Sequence, residues 1–338
     1  MKGTHKFQLV TKNLIFDITL RRNITVIRGD GATYKSLFCK AISAAHLAGT
    51  GAHLHSYPDE VFYVTDQEFY ADRLAHYTGK NCILVFDETS PCIKTPEFRD
   101  AVQSTGCYFI LITRGNCGCL SDSTKEVCEF IYSDSLDLSK RVVTLNSLYP
   151  RDHYGPYSDQ QTIITEDSAS GRQFFSRAFP ERQVVSAKGK ANIASFVRQH
   201  PNSVVIADGA ALGFEIQDII SNLDRSGCHL IIKESFEYVL LKSGILNRYL
   251  PEEVNIDSPE VDSSHYLSWE NYYEDLLTMV TRGTPFAYKK EHLPQVYSSQ
   301  SNRARIIKVY EMPNSGAYTG YTSLFTDSTS KEAPSYDK

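Results

Sequence analysis

An apolar, β-branched run at Ile24–Ile27 gives way within a few residues to a helically spaced stretch at Lys35–Leu47, and the join carries Gly29 and Gly31. A strand that feeds a helix through a glycine-bearing turn is the unit of parallel sheets covered by helices. The pattern recurs. Further buried strands are expected at Val61–Val64, Cys82–Phe86 and Tyr108–Ile112, with a helix at Pro96–Ser104. A loop-like stretch rich in Tyr, Pro, Gly and Asp follows at Tyr149–Gln160. Beyond it lie expected strands at Thr162–Thr165, Val184–Ser186, Val204–Ala207 and His229–Ile232, with helices at Gly171–Ala178, Asn192–His200 and Glu215–Leu223 between them. The reading is an α/β protein of two parallel-sheet domains, residues 1–150 and 151–245. A helical or irregular extension at 246–310 includes a helically spaced run at Trp269–Arg282, and a flexible polar tail occupies 311–338.

Size and charge narrow the class. At roughly 100–200 residues per domain, 338 residues suit two domains with cores of their own. Thirty-five basic against forty acidic residues leave a net charge of −5, so no overall basic field draws the chain to nucleic acid. No run is long and apolar enough to cross a bilayer, and the first residues lack a signal-peptide layout, so a cytoplasmic location is expected. The eight cysteines are then expected as thiols; Cys107, Cys117, Cys119 and Cys128 do not have paired zinc-ligand spacing.

The first turn is where chemistry is expected. Gly29, Asp30, Gly31, Ala32, Thr33, Tyr34, Lys35 and Ser36 stand in register with the phosphate-binding pattern G-x4-G-K-[ST], except that Tyr34 replaces the second glycine. In such a loop backbone amides surround phosphate oxygens, the lysine meets the outer phosphates and the hydroxyl helps to hold Mg²⁺. Cys82–Phe86 leads into Asp87 and Glu88, an apolar strand ending in two carboxylates. Asp87 would hold the Mg²⁺ shell and Glu88 would polarise an attacking water. Tyr108–Ile112, ending at Thr113 and Arg114, reads as a neighbouring core strand. ATP with Mg²⁺ is the expected cofactor, because no Asn-Lys-x-Asp guanine signature follows. The plainer alternative is a tight turn at Gly29–Gly31, with Asp87 and Glu88 capping the next loop.

The second series of strands also ends in acids: Glu166 and Asp167, Asp208, then Glu234 and Glu237. Acids at the carboxyl ends of adjacent parallel strands converge where α/β sites form. Glu166, Asp208 and Glu237 would suit an oxygen-liking divalent cation that activates water. Each also has an ordinary reading. Glu166 and Asp167 would cap a helix, Asp208-Gly209 would make a turn, and Glu234 and Glu237 would form a solvated face. Lys188 and Lys190 read as phosphate contacts or as solvated lysines. Trp269, Tyr272 and Tyr273 read as a base-stacking patch or as core.

These features carry a resemblance. The run from Phe16 through Gly29 looks like the opening strands of an ABC-type or recombination-type ATPase, in a reduced form without a Leu-Ser-Gly-Gly-Gln motif. Glu166 and Asp208 resemble the glutamate and first aspartate of TOPRIM-type domains, with Ala210 where a second aspartate belongs. Glu166–Phe175, Asp208–Gly213, Glu234–Gly244 and Ser268–Leu276 resemble blocks of an uncharacterised bacterial and phage family spanning about residues 10–300. That family joins a reduced P-loop ATPase domain to a TOPRIM-like domain, as in overcoming-lysogenisation-defect nucleases and ATPase–TOPRIM phage-defence proteins. The resemblance implies a P-loop NTPase-like sheet followed by a TOPRIM-like (Rossmann-like) domain. It further implies nucleotide-dependent, Mg²⁺-dependent action on DNA or RNA, within an oligomer or protein assembly. The rival expectations are a non-catalytic binding or structural protein on degenerate folds, and a nucleotide sensor in a larger assembly.

Overall fold

The computed structural model describes residues 1–29, 34–47, 49–56, 59–65, 74–114, 117, 120, 122–133, 140–149, 162–167, 169–257 and 260–312. Its first unit is a single sheet of nine strands: β1 (His5–Val10), β2 (Leu14–Leu20), β3 (Ile24–Ile27), β4 (His53–Ser56), β5 (Glu60–Tyr63), β6 (Cys82–Phe86), β7 (Tyr108–Ile112), β8 (Val127–Ser133) and β9 (Arg141–Ser147). Their spatial order is β4-β1-β2-β9-β8-β3-β7-β6-β5.

The sheet is mixed, which corrects the expected parallel one. β3, β6 and β7 run parallel with β5 and β8, but β1 pairs antiparallel with β2 and β4, and β8 with β9. The parallel strands are buried on both faces and read as continuous apolar runs; β6 and β7 are buried at every position. β2 alternates buried and half-buried residues along its length, a weaker signal in the sequence.

Helix α1 (Lys35–Ala45) explains the curl of this sheet. It contacts β4 and β5, the two edge strands, so the sheet wraps around it. Phe38 and Ile42 are fully buried there among Phe7, Phe16, Val61, Ile83 and Phe130. On the opposite face α2 (Pro96–Thr105) seats Phe98 and Val102 against Phe86 and Phe109, its first turn capped by the Thr95 hydroxyl.

The second unit is parallel, as expected: β10 (Ile163–Thr165), β11 (Val184–Ser186), β12 (Val204–Asp208) and β13 (His229–Lys233), in the order β11-β10-β12-β13. Helices α4 (Ile193–Gln199) and α5 (Ile216–Ser226) cover one face. The other carries α3 (Ser170–Ala178), α6 (Phe236–Lys242), α7 (Trp269–Thr281) and α8 (Gln300–Glu311). The stretch expected as an appended extension therefore completes this core. Tyr273, Leu277, Tyr297, Ile306 and Tyr310 are buried among Phe174, Phe175 and Leu240. Tyr310, the last residue of the expected extension, lies in the final turn of a helix inside the protein; of the expected tail, residues 313–338 lie outside the described residues.

Polar contacts join the units, among them those of two arginines and a pair of backbone bonds. Arg22 extends one nitrogen to both oxygens of Glu234, at 2.8 and 3.0 Å, with its guanidinium 3.7 Å above the Trp269 ring. Arg28 donates to the Phe214 carbonyl at 3.1 Å and to Gln217 at 3.2 Å. Between them, the Thr124 amide bonds to the Gly209 carbonyl and the Gly213 amide to the Asp122 carbonyl. Among the described residues, no helix is long and apolar enough to cross a membrane.

Candidate functional site

Because β3, β7 and β6 are parallel neighbours, the residues that follow them share one edge of the sheet: Gly29, then Thr113 and Arg114, then Asp87 and Glu88. The carboxyl edge of parallel strands is where α/β folds bind ligands. Gly29 has φ of 129°, a conformation that side chains resist. Asp30, Gly31, Ala32 and Thr33 lie outside the described residues.

Tyr34, at the position where the pattern has glycine, still adopts the glycine-like backbone, with φ 58° and ψ −2°. A left-handed conformation costs a side-chain-bearing residue about 1–2 kcal/mol. Its ring packs edge-on against Tyr132, with centroids 6.1 Å apart. The Lys35 ammonium turns back to the Gly29 carbonyl across the turn. Helix α1 then begins with no side-chain cap and no acid in its first turn, and Ser36 is exposed. The positive end of a helix dipole favours an anion.

Across the edge, one oxygen of Asp87 accepts from the Tyr63 hydroxyl at 2.7 Å and the other from the Thr89 amide at 2.9 Å. Burial, and then Asp87 itself, raise the Tyr63 phenol above its ordinary range, so it stays a donor. Glu88 pairs with Arg114 at 3.4 Å, both partners being substantially exposed. Asp87 is therefore oriented, while Glu88 is tied by an exposed ion pair of little energetic weight.

The acids of the second sheet form a more buried group. One oxygen of Glu166 accepts from the Asp208 amide at 3.0 Å, which holds the two residues together across the parallel strands. Burial is the chief cause that raises both carboxyls, Glu166 to about 7 and Asp208 well above its ordinary value; the Glu166 charge adds to the load on Asp208. Asp167 is the helix cap of the ordinary reading, accepting from the Gly171 and Arg172 amides at 3.0 Å each. Glu237 is buried and accepts from the Tyr288 hydroxyl, which also bonds to Ser170 at 2.9 Å.

Two expectations fail at this group. Glu234 and Glu237 do not form a solvated face: both are buried, and Glu234 is an ionised partner of Arg22 and Lys125. Nor are Glu166, Asp208 and Glu237 gathered as a ready cage. Among the described residues no three His, Cys, Asp or Glu side chains are grouped to hold a metal ion. Glu166 and Asp208 remain neighbours on adjacent strands.

Other expectations resolve toward structure. Lys188 is exposed with φ 57°, while Lys190 donates to the Ala211 carbonyl at 2.8 Å and lies 3.7 Å from Glu215. Tyr273 is core, and Trp269 is stacked under Arg22. Cys107, Cys117 and Cys128 are buried thiols. Sequence reasoning missed Tyr132, Arg141, Glu270 and Lys290. Lys290 bridges Glu270 and Glu274 at 3.1 and 2.8 Å, and the Glu270 charge reaches both Glu166 and Asp208. Only the i,i+4 spacing of Glu270 and Glu274 on α7 signalled a shared face. No known family, curated protein or solved structure matches this chain.

Proposed function

We propose that the front half of this protein binds a nucleoside triphosphate, ATP with Mg²⁺, at the turn from β3 into α1. One observation carries the reading: an uncapped helix N-terminus, with Lys35 folded onto the Gly29 carbonyl, opens on the edge that also bears Asp87. Lys35 and the first amides of α1 would hold phosphate oxygens, and Ser36 with Asp87 would hold Mg²⁺. The glycine-like backbone of Tyr34 supports this, because the replacement keeps the turn's local conformation. Mg²⁺ supplies charge neutralisation of the phosphates. Calorimetric titration of the full chain with ATP, with and without Mg²⁺, is the test. Lys35→Ala is expected to weaken binding about tenfold or more, and absence of binding at millimolar nucleotide overturns the reading.

A second reading rests on the Glu166–Asp208 pair. Two neighbouring carboxyls, both raised chiefly by desolvation and with Glu166 adding to the rise at Asp208, would also be relieved by a divalent cation. This supports Mg²⁺-dependent action on DNA or RNA, in keeping with the TOPRIM-type resemblance and a role in phage–host conflict. Metal-dependent cleavage that survives both Glu166→Ala and Asp208→Ala defeats that assignment. The non-catalytic rival draws support from Ala210 and from the position of Glu237 against Tyr288. ATP binding without turnover, and no cleavage of any nucleic acid, is its expected signature.

A further inference from the structure

Tyr34 is an outlier with a neighbour. It is one of three non-glycine residues with positive φ among the described residues, and it immediately precedes Lys35. Strained backbone at a candidate site points to function when the surroundings hold the strain for a purpose. Here the ring packs partly against the core around Phe38 and also against Tyr132, which is 56% exposed. β8 is paired with β3 only as far as Cys128 opposite Ile27, and then runs on through Glu129–Ser133 past the end of β3. At about 3.3 Å per residue, that carries Tyr132 roughly 13 Å beyond the last pairing, to the edge where the Tyr34 ring meets it. The third member comes from β9. Tyr132 lies opposite Val143, so Arg141 is its diagonal cross-strand neighbour, and the guanidinium carbon stands 5.4 Å from the Tyr132 ring centre.

We propose that Tyr34, Tyr132 and Arg141 form a stacking platform for the base of the nucleotide whose phosphates lie at Lys35. The inference rests on the nucleotide reading above and gives that site its missing half. Aromatic faces and a guanidinium plane bind any nucleobase through its π-face. They also account for tyrosine at a position where glycine would be unstrained: the ring supplies contact area that glycine lacks. On this view the corner recognises a nucleoside triphosphate rather than bare polyphosphate.

The experiment compares two probes, MgATP and magnesium tripolyphosphate, by calorimetric titration of the full chain. Tyr132 is a surface residue, so Tyr132→Ala leaves the fold intact, checked by circular dichroism. Loss of one stacking partner is expected to weaken MgATP about 5- to 100-fold while tripolyphosphate stays within about twofold. Tyr132→Phe is expected to retain ATP affinity. Tyr34→Gly is expected to follow Tyr132→Ala, losing ATP affinity selectively. Equal loss of both probes, or loss of neither, overturns the platform while leaving phosphate binding at Lys35 in place; Tyr132 and Arg141 are then only a cross-strand surface pair. Failure of the unmodified chain to bind either probe overturns the nucleotide reading and the platform together.

Discussion

Glu234→Ala is the perturbation whose cost the structure determines best. Glu234 and Arg22 are 5% and 6% exposed, and the pair ties the turn before β3 to the end of β13, with Trp269 of α7 packed beneath the guanidinium. Burial alone would raise the Glu234 carboxyl, but Arg22 and then Lys125 outweigh it and hold the group at about 2, against 4.5 ordinarily. A shift of that size corresponds to about 3 kcal/mol of folding stability. It agrees with the roughly 3–5 kcal/mol lost when one partner of a buried pair is removed. Glu126, 3.9 Å from the Arg22 guanidinium, offers partial compensation, so the lower end of that range is expected. The folded value lies below the unfolded one. The contribution is therefore complete above pH 4.5 and declines as pH falls through that value toward about 2. Urea unfolding at pH 7 and at pH 3 measures both quantities: Glu234→Ala loses about 3 kcal/mol at the first pH and clearly less at the second. The double variant Arg22→Leu/Glu234→Leu is expected to recover most of the loss, because the cost lies in the stranded charge. A loss under about 1 kcal/mol at pH 7, or a double variant no better than the single one, refutes the reasoning.

Two further variants probe the seam and the acidic pair. A Cβ at Gly213 would stand 2.2 Å from an Asp122 carboxylate oxygen, so Gly213→Ala should destabilise by about 1–3 kcal/mol in denaturant unfolding. Asp122→Ala added to it should relieve part of that cost, and strict additivity would show that the two do not clash. Glu166 binds its proton more tightly in the fold, at about 7 against 4.5, so its stabilising contribution is complete below 4.5 and disappears as pH rises through 7. Glu166→Gln is thus expected to raise the stability of the metal-free protein by about 1–3 kcal/mol at pH 8 relative to pH 4. Equal effects at both values would remove the buried-acid account.

The legible part of this fold was the part buried on both faces. β3, β6 and β7 fall on the residues expected from continuous apolar runs, and the helices expected from Lys35 and Pro96 begin at those residues. The antiparallel strands were missed because their alternation is shared with solvated loops, and with them went the curl of the sheet around α1. At the sites, the sequence located the acids but not their condition. Glu166, Glu234 and Glu237 belong to the same residue type, yet one accepts from a neighbouring strand's amide, one is saturated by cations and one is held by a phenol. Those fates are set by Asp208, by Arg22 and by Tyr288, which stand 42, 212 and 51 residues away along the chain. No local pattern encodes such distances.

Tyr34 shows the same limit from the other side. As a letter in a motif it counts against phosphate binding, because tyrosine replaces glycine. In the folded chain the turn keeps the glycine conformation and spends about 1–2 kcal/mol to do so. Mutation to glycine would recover that energy but would lose the packing of the ring against Tyr132 and against the core around Phe38. Core packing offsets part of the strain, and the part of the ring left uncovered stands next to the loop's ammonium group. On the proposed reading, a nucleobase whose phosphates lie at Lys35 would cover that part of the ring, and the comparison of Tyr34→Gly against MgATP and tripolyphosphate tests it.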